Sequence, residues 1–208
     1  MTHEIPTSWK RHCITPIPKG EGDYRPISLI EKTRKLLEKI ILSKISFKIR
    51  KQLAGFQEKH STLNHALFLV NLLRTSNGGM ICVTLDIKKA YDTVDRNKLY
   101  EKLLKFQKLS LLDTQLIASL VENNQYTIKK ATTESFKIAV VGLPQGSIIS
   151  PSPFSVFIDD IFSYILRNLR KGILLYADDM IIFASTVSPQ LTDMINSIEN
   201  HAKDNNYT

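Results

Sequence analysis

Two adjacent carboxylates, Asp178 and Asp179, interrupt an apolar segment at residues 173–184. The apolar runs on either side have β-strand composition, so the pattern predicts a tight hairpin with both aspartates at its tip. Such charges repel each other and lose hydration unless a strong cation lies beside them. Mg²⁺ is usually held by one or two carboxylates and substrate phosphates, which indicates phosphoryl or nucleotidyl transfer. The alternative is a solvated turn, since aspartate favours turns whatever the function.

A third carboxylate, Asp86, follows another β-type run at residues 80–85. If the two segments are neighbours in one sheet, Asp86, Asp178 and Asp179 can hold two metal ions about 3.5–4 Å apart. Two such ions clamp the attacking and leaving oxygens of an in-line displacement. The alternative for Asp86 is a helix N-cap, although Asp95 is better placed for that task.

Five sequence blocks follow one another in the order in which they occur in reverse transcriptases. They are residues 24–29 (YRPISL), 55–56 with 60–62 (GF, HST), 85–95 (LDIKKAYDTVD), 142–147 followed by 150–151 (GLPQGS, SP), and 176–179 (YADD). A single YADD can arise by chance, whereas five ordered blocks leave little room for accident. The sequence therefore resembles the reverse transcriptases, most closely those of non-LTR (LINE-like) retrotransposons.

Strand patterns separated by helical patterns predict an α+β domain with a helical lobe. The resemblance implies the right-hand polymerase fold: a fingers and palm core, an antiparallel palm sheet with helices, and an absent thumb. It further implies fingers at residues 1–79, palm with the first catalytic block at 80–106, a fingers/palm connecting helix and hairpin at 107–141, and a truncated palm with the nucleotide pocket and metal hairpin at 142–208.

Helices are predicted where apolar residues recur every three or four positions. The first should begin at Ser28, in a capping box with Glu31, and continue to about Lys51. A second should begin near Ser61 and bury one face; further helices and a strand pair are predicted at residues 95–106, 110–122, 151–169 and 191–198, and at 125–130 with 136–141. The second helix is expected to bury Leu63, Ala66, Leu67, Val70 and Leu73.

The resemblance assigns the metal site to Asp86, Asp178 and Asp179 as catalytic ligands, with the carbonyl of Ile87 as a further oxygen. The implied cofactor is a pair of Mg²⁺ ions, for which Mn²⁺ can substitute. One ion would lower the pKa of a primer 3′-hydroxyl, and the other would neutralise the triphosphate and its pyrophosphate leaving group.

The resemblance also assigns six residues to substrate binding: Ile87, which is named above as a metal ligand too, and the five described next. Tyr91 would collide with the 2′-hydroxyl of a ribonucleotide, unless it is an ordinary core tyrosine. Gln145 can bond the sugar or base, and Gly146 would let the backbone approach the substrate, unless the segment is a simple loop. Arg25 resembles an arginine that contacts the triphosphate and Lys19 could assist it, although both lie in a generally basic region.

These assignments predict the catalytic core of an RNA-directed DNA polymerase that acts in retrotransposition. Its partners would be an RNA template, a DNA primer, dNTP and the remainder of a longer retroelement polyprotein, with no membrane. One alternative is an RNA-directed RNA polymerase, against which Tyr91 and the YADD form argue. The other is an inactive nucleic-acid-binding remnant of a retroelement.

The charge distribution agrees with a polyanionic partner. The net charge is +8, and residues 1–51 hold 12 Lys and Arg against 5 Asp and Glu, whereas residues 52–208 hold 16 against 15. Such a basic segment suits a nucleic acid backbone. The alternative is a solvated helix face, because Leu37, Ile41, Ile45 and Ile49 recur every four residues and would leave Lys and Arg facing outward.

The two cysteines, Cys13 and Cys82, form neither a disulfide framework nor a zinc motif. The N-terminal residues lack an apolar signal core, and no segment approaches the roughly 18 apolar residues of a membrane span. We therefore expect an intracellular, reducing compartment, the cytoplasm or the nucleus.

Overall fold

The computed structural model describes residues 5–20, 22–57, 60–76, 80–128, 136–165, 172–184 and 189–207. In chain order, after a 3₁₀ turn at Thr7–Lys10, its elements are β1 (Arg11–Gly20), β2 (Asp23–Leu29), α1 (Lys32–Lys44), α2 (Thr62–Thr75), β3 (Ile81–Asp86), α3 (Arg96–Lys105), α4 (Leu111–Val121), β4 (Gln125–Ile128), β5 (Lys137–Ile138), α5 (Pro151–Asp159), α6 (Ile161–Tyr164), β6 (Ile173–Tyr176), β7 (Asp179–Ala184) and α7 (Pro189–Asn205).

The chain forms two compact units, each built from two separate stretches of sequence. Unit 1 combines Met1–Phe47 with Tyr91–Phe154, and unit 2 combines Lys48–Ala90 with Ser155–Thr208. The chain passes from unit 1 into unit 2 within α5. None of the helices in the described ranges is long and apolar enough to cross a membrane.

Unit 1 contains a four-stranded mixed sheet in the order β2-β1-β4-β5. Strands β1 and β2 form an antiparallel hairpin, β4 runs parallel to the start of β1, and β5 pairs antiparallel with β4. Helices α3 and α4 each bury an apolar face, and its fully buried residues are Leu99, Leu103, Ile117, Leu120 and Val121. Each fully buried side chain of this size contributes about 1.5–3 kcal/mol relative to an exposed one.

Unit 2 contains a three-stranded antiparallel sheet in the order β3-β7-β6. Its central strand β7 is bordered by β3 and by β6, and the edge of β6 receives a single bridge from Leu53 to Leu175. The core joins the sheet to the helices and includes Leu53, Ile158, Ile161, Phe162, Ile173, Leu175 and Ile182. This sheet carries the predicted carboxylates.

Several predicted elements are confirmed. The structure has the predicted mixed α+β composition and the predicted hairpin, whose two strands flank the paired aspartates. It also has helices at 96–105 and 111–121. Asp95 caps α3, since its carboxylate accepts hydrogen bonds from the amides of Asn97 and Lys98. Ser110 caps α4 through a bond from the Asp113 amide.

The prediction for the first helix is wrong at both ends. Ser28 lies in β2, where its amide donates to the carbonyl of Gln145, so it cannot form the expected capping box. Glu31 is itself the N-cap of α1, and the helix ends at Lys44. Its buried face contains Arg34, Glu38 and Ile41, so the apolar repeat does not leave every charged residue outside.

Three further expectations differ from the structure. Helix α2 is present, but the predicted face is exposed, and the half-buried residues are instead His65, Leu69 and Leu72. The predicted helix at 151–169 divides into α5 and α6 at Asp160, and its end lies outside the described residues. In the strand pair, β5 spans only two exposed residues, whereas the predicted strand covers residues 136–141.

Candidate active site

The carboxylate hairpin is closed by a two-residue loop. Tyr176 and Asp179 are the last paired residues of β6 and β7, which leaves Ala177 and Asp178 at the tip. Ala177 has φ 57°, and two-residue hairpin loops require such a value to match the twist of their strands. A residue with a Cβ takes up this conformation at a cost of about 1–2 kcal/mol, so the surrounding structure must hold it there.

Gly55 lies directly against this loop. A Cβ added at Gly55 would stand 2.2 Å from the amide nitrogen of Ala177 and 2.9 Å from its Cα. The preceding segment is hydrogen-bonded to β6 on both sides of Leu175, through the carbonyl of Gln52 and the amide of Ala54, each at 2.9 Å. The Gly55-Phe56 block therefore has a structural reason: only a residue without a side chain lets this segment reach the hairpin tip.

The strand that carries Asp86 is a neighbour of the hairpin, as the sequence analysis required. Asp86 is the register partner of Asp179 in the antiparallel ladder between β3 and β7. Directly opposed residues project from the same face with Cβ atoms about 4.5–5.5 Å apart. Both residues are exposed, Asp178 is half-buried, and the carbonyl of Asp178 accepts a hydrogen bond from the amide of Ile87 at 3.3 Å.

The alternative interpretation of Asp86 as a helix N-cap is wrong. The residues after Asp86 form turns, and the next helix begins only at Arg96, where Asp95 is the cap. As register partners, Asp86 and Asp179 therefore present two carboxylates on one face of the sheet. Like charges that oppose each other directly across a ladder repel, and a bound cation would relieve that repulsion.

The donor chemistry of this face fits a hard divalent cation. No group of three or more His, Cys, Asp or Glu side chains within the described residues is arranged to hold a metal ion. The observed pair, Asp86 and Asp179, with Asp178 at the adjacent tip, instead matches the way Mg²⁺ is bound through one or two carboxylates and substrate phosphates.

In unit 1, Tyr91 lies beside the loop at residues 142–150, which we call the nucleotide loop. The Tyr91 ring is half-buried and stacks on Phe154, with centroids 5.0 Å apart and planes inclined by 13°. Its carbonyl accepts a hydrogen bond from the Leu143 amide at 2.7 Å. The ring orientation is thus fixed by stacking, and the backbone is fixed to the loop.

Gln145 and Gly146 lie at the turn of the nucleotide loop. The side-chain amide nitrogen of Gln145 is 3.3 Å from a carboxylate oxygen of Asp92. The main-chain carbonyl of Gln145 accepts a hydrogen bond from the Ser28 amide at 2.8 Å. Gly146 has φ 102°, and a Cβ there would stand 2.6 Å from the Ser28 carbonyl oxygen. The glycine is therefore required by the approach of the chain to its own strand β2.

A cleft of about 390 Å³ opens beside Gln145 within unit 1. Its walls are mostly apolar and include Pro26, Tyr126 and Pro144, while Asp92 and Gln145 supply polar groups. An apolar cleft with a few polar groups is the usual form of a small-molecule site.

Arg25 and Lys19 lie on the hairpin of β1 and β2, and both are exposed. Arg25 pairs with Ile17, and Lys19 occupies the irregular position between Pro18 and Gly20. These two cations therefore belong to unit 1 together with Tyr91, Gln145 and Gly146, whereas the three aspartates and Ile87 belong to unit 2.

Three buried charged residues that the sequence does not predict, Arg34, Glu38 and Arg96, hold the nucleotide loop. Arg96 donates to the carbonyls of Ala139, Val141 and Gly142. Arg34 and Glu38 form a fully buried ion pair whose carboxylate reaches the same loop. The i,i+4 spacing of the last two signals a pair, but such pairs usually lie on solvated helix faces, so the sequence gives no sign of their burial.

Comparisons with known proteins identify the family of the chain. Residues 17–208 match the family described as reverse transcriptase (RNA-dependent DNA polymerase). The chain is 27% identical over 202 residues to the probable RNA-directed DNA polymerase from transposon BS of Drosophila melanogaster, covering 88% of this chain and 22% of the relative. It is 30% identical over 197 residues to the RNA-directed DNA polymerase from the mobile element jockey of Drosophila funebris, covering 86% and 21%.

The fold is similar to that of a telomerase from Candida tropicalis, solved with a TWJ fragment of telomeric RNA. The TM-score is 0.68 at 16% identity, over 95% of this chain and 39% of the telomerase chain. This similarity confirms the predicted fingers and palm fold. The chain spans about a fifth of the length of the curated relatives. With residues 17–208 matched, the chain belongs to the reverse transcriptase family, and its predicted resemblance to the non-LTR retrotransposon members is confirmed.

Proposed function

We propose that this chain is the catalytic core of an RNA-directed DNA polymerase of a non-LTR retrotransposon. It would transfer a nucleotide from dNTP to the 3′-hydroxyl of a DNA primer on an RNA template. The observation that carries the proposal is the pairing of Asp86 with Asp179 on one sheet face, next to Asp178 at a strained hairpin tip. The relatives named as RNA-directed DNA polymerases support the same reaction.

Asp86, Asp178 and Asp179 would hold two Mg²⁺ ions, or Mn²⁺ in their place, with the carbonyl of Ile87 as a further ligand. Bound metal would supply activation of the primer hydroxyl and neutralisation of the triphosphate charge. The primer 3′-oxygen attacks the α-phosphorus, the bond from that phosphorus to the β-phosphate oxygen breaks, and pyrophosphate leaves while the hydroxyl proton passes to water. The aspartates act here by fixing charge and position.

Unit 1 would select and orient the nucleotide. We assign Tyr91 to exclusion of the 2′-hydroxyl, because stacking on Phe154 prevents its ring from turning away. Gln145 would bond the sugar or base, and Gly146 would keep the loop close to β2. Arg25 and Lys19 would contact the triphosphate, since exposed cations on a hairpin can close over an anion.

We further propose fingers at residues 1–79, palm at 80–106 and 142–208, and a connecting region at 107–141. The partners would be an RNA template, the DNA primer, dNTP and the remainder of a longer retroelement polyprotein. A reducing compartment, cytoplasm or nucleus, suits the two cysteines, Cys13 and Cys82, which are both free.

Primer extension tests the proposal. The chain, alone or fused to the downstream region of a jockey-type relative, is given RNA or DNA templates with either dNTP or NTP and Mg²⁺. Extension with dNTP on RNA is the expected result. Extension with NTP would favour an RNA-directed RNA polymerase, and salt-sensitive RNA binding without extension in either form would favour an inactive remnant.

A further inference from the structure

The nucleotide loop is hydrogen-bonded to the carboxylate of Glu38, a residue of helix α1. One oxygen of Glu38 accepts hydrogen bonds from the Ser147 hydroxyl at 2.9 Å and from the Ile148 amide at 2.8 Å. The Ile149 amide approaches the same oxygen at 3.4 Å. This oxygen therefore gathers three donors that follow Gln145 and Gly146 directly in the chain.

The other oxygen of Glu38 accepts from Nε of Arg34 at 2.9 Å, and both side chains are completely buried. The Arg34 guanidinium in turn donates to the carbonyls of Trp9 and Leu120 and to the side chain of Asn124. It also lies 2.9 Å from Nε2 of His12. The guanidinium is thus fixed to several parts of unit 1 that are distant in sequence.

A buried ion pair adds little stability compared with apolar residues of the same size, because both charges lose their hydration. Stability alone is therefore a weak reason for this pair. Its geometry, by contrast, connects the loop to three elements that are distant in sequence, the 3₁₀ turn, β1 and the end of α4. Fixed orientation is the property that such a network supplies.

We propose that Glu38, held by Arg34, is a positioning residue that sets the nucleotide loop for binding of the incoming nucleotide. The proposal rests on the function proposed above for Gln145 and deepens it. Glu38 does not itself contact the nucleotide. It acts through the Ser147 hydroxyl and the Ile148 amide, which determine where the backbone of the loop lies relative to β2.

Glu38→Gln is a sharp test because every group around the carboxylate is a donor. A carboxylate only accepts hydrogen bonds, whereas an amide presents one oxygen and one NH₂ group. Whichever way the amide is turned, its NH₂ opposes either Arg34 or the loop donors. The matched control is Glu101→Gln, which alters an exposed i,i+4 partner of Lys105 on α3.

Two measurements are made on each variant. Amide hydrogen exchange on the unliganded chain should be at least about tenfold faster at Ile148 and Ile149 in Glu38→Gln, with the α3 amides of Leu99 and Leu103 unchanged. In the form that extends a primer, KM for dNTP should rise at least about tenfold, while kcat and affinity for the RNA–primer duplex change less than threefold. A mere loss of folded protein would lower kcat and leave KM unchanged.

Ser147→Ala is the second variant, and it decides the question if Glu38→Gln does not fold. It removes one hydrogen bond and leaves the ion pair intact, so the same changes are expected at about threefold. Unchanged loop exchange in folded variants would overturn the proposal, and so would faster exchange with an unchanged KM. Exchange needs no activity, so an inactive wild-type chain would count against the polymerase alone.

Discussion

The two regions assigned to the site are fixed by different kinds of bond. In unit 2, the aspartates are placed by main-chain pairing between β3, β7 and β6, and Gly55 lies against the hairpin tip. In unit 1, the nucleotide loop is held by the buried side chains of Arg96 and Glu38. A ladder fixes each residue by its register, whereas side-chain anchors can be lost singly. We therefore expect the fold of unit 2 to tolerate side-chain substitutions that leave its backbone in place. Loss of a buried anchor in unit 1 should instead displace the nucleotide loop.

The largest effect is expected from the aspartates. Asp86→Asn or Asp178→Asn should lower DNA synthesis by at least about 10³-fold, because each removes a charge that the proposed metal site would use. The fold should persist, and removal of one like charge should leave apo stability equal or higher. Primer extension and thermal unfolding measure the two effects. Asp193→Asn, an exposed site on α7, is the control, and near wild-type synthesis in either active-site variant would sink the metal assignment.

A new Cβ that collides with the main chain should disturb the fold of unit 2, whereas the aspartate substitutions should not. In Gly55→Ala the new Cβ would collide with the main chain of Ala177 at 2.2 Å, which must displace the hairpin tip. We expect about 1–3 kcal/mol of destabilisation and about 10²-fold slower synthesis. Gly20→Ala is the matched control, since nothing lies within 4 Å of its added Cβ. Equal behaviour of the two variants would show that the hairpin accommodates the methyl group.

Tyr91 tests whether stacking in unit 1 has a functional consequence. Tyr91→Val should raise the ratio of ribonucleotide to deoxynucleotide incorporation by about tenfold or more, because it opens space for a 2′-hydroxyl. Phe154→Leu should shift the ratio in the same direction by less, since it removes the ring on which Tyr91 stacks. Tyr91→Phe keeps the ring and is the control. An unchanged ratio in a folded Tyr91→Val variant would make Tyr91 an ordinary packing residue.

The smallest effect concerns acid stability. Burial lowers the pKa of His12 below its usual 6.5; the hydrogen bond to Asn124 opposes the shift, the positive charge of Arg34 adds to it, and the negative charge of Glu38 opposes it. As the pH falls, His12 therefore takes up a proton in the unfolded chain before it does so in the folded chain. The free energy of unfolding decreases below about pH 6.5, by at most about 1.4 kcal/mol per pH unit. Urea unfolding followed by the fluorescence of the single tryptophan, Trp9, measures this. His12→Gln should reduce the dependence of the free energy of unfolding on pH between pH 7 and 5.5. An unaltered slope would show that His12 is not the source of that dependence.

The carboxylate hairpin of unit 2 could be predicted from the sequence because its determinants are local. Two short apolar runs on either side of Asp178-Asp179 specify two short strands and a tight turn, and a similar run identifies the strand before Asp86. The order of β3 next to β7 was a condition of the prediction, and the structure meets it. The contact of Gly55 with the turn could not be read, since it joins residues more than 100 positions apart.

The burial of Arg34 and Glu38 in unit 1 could not be predicted from the sequence, for a physical reason. Helical periodicity sorts apolar residues from charged ones, and it assigns Arg34 and Glu38 to the solvent because their partners come from other parts of the chain. The same rule misplaced the faces of α2, whose half-buried residues include His65. Ser28 carries the residue pattern of a capping box, but pairing of β2 with β1 prevails over that local preference.

The pairing of Asp86 with Asp179 has a consequence for synthesis of the protein itself. The two residues are register partners, yet 93 positions of chain separate them. At translation rates of about 5–20 residues per second, the strand bearing Asp86 leaves the ribosome roughly 5–20 s before β7. During that interval its edge lacks the partner that will cover it, and an unpaired edge is a template for association. Chaperone dependence of the nascent chain should therefore begin after residue 86 has emerged and end with β7.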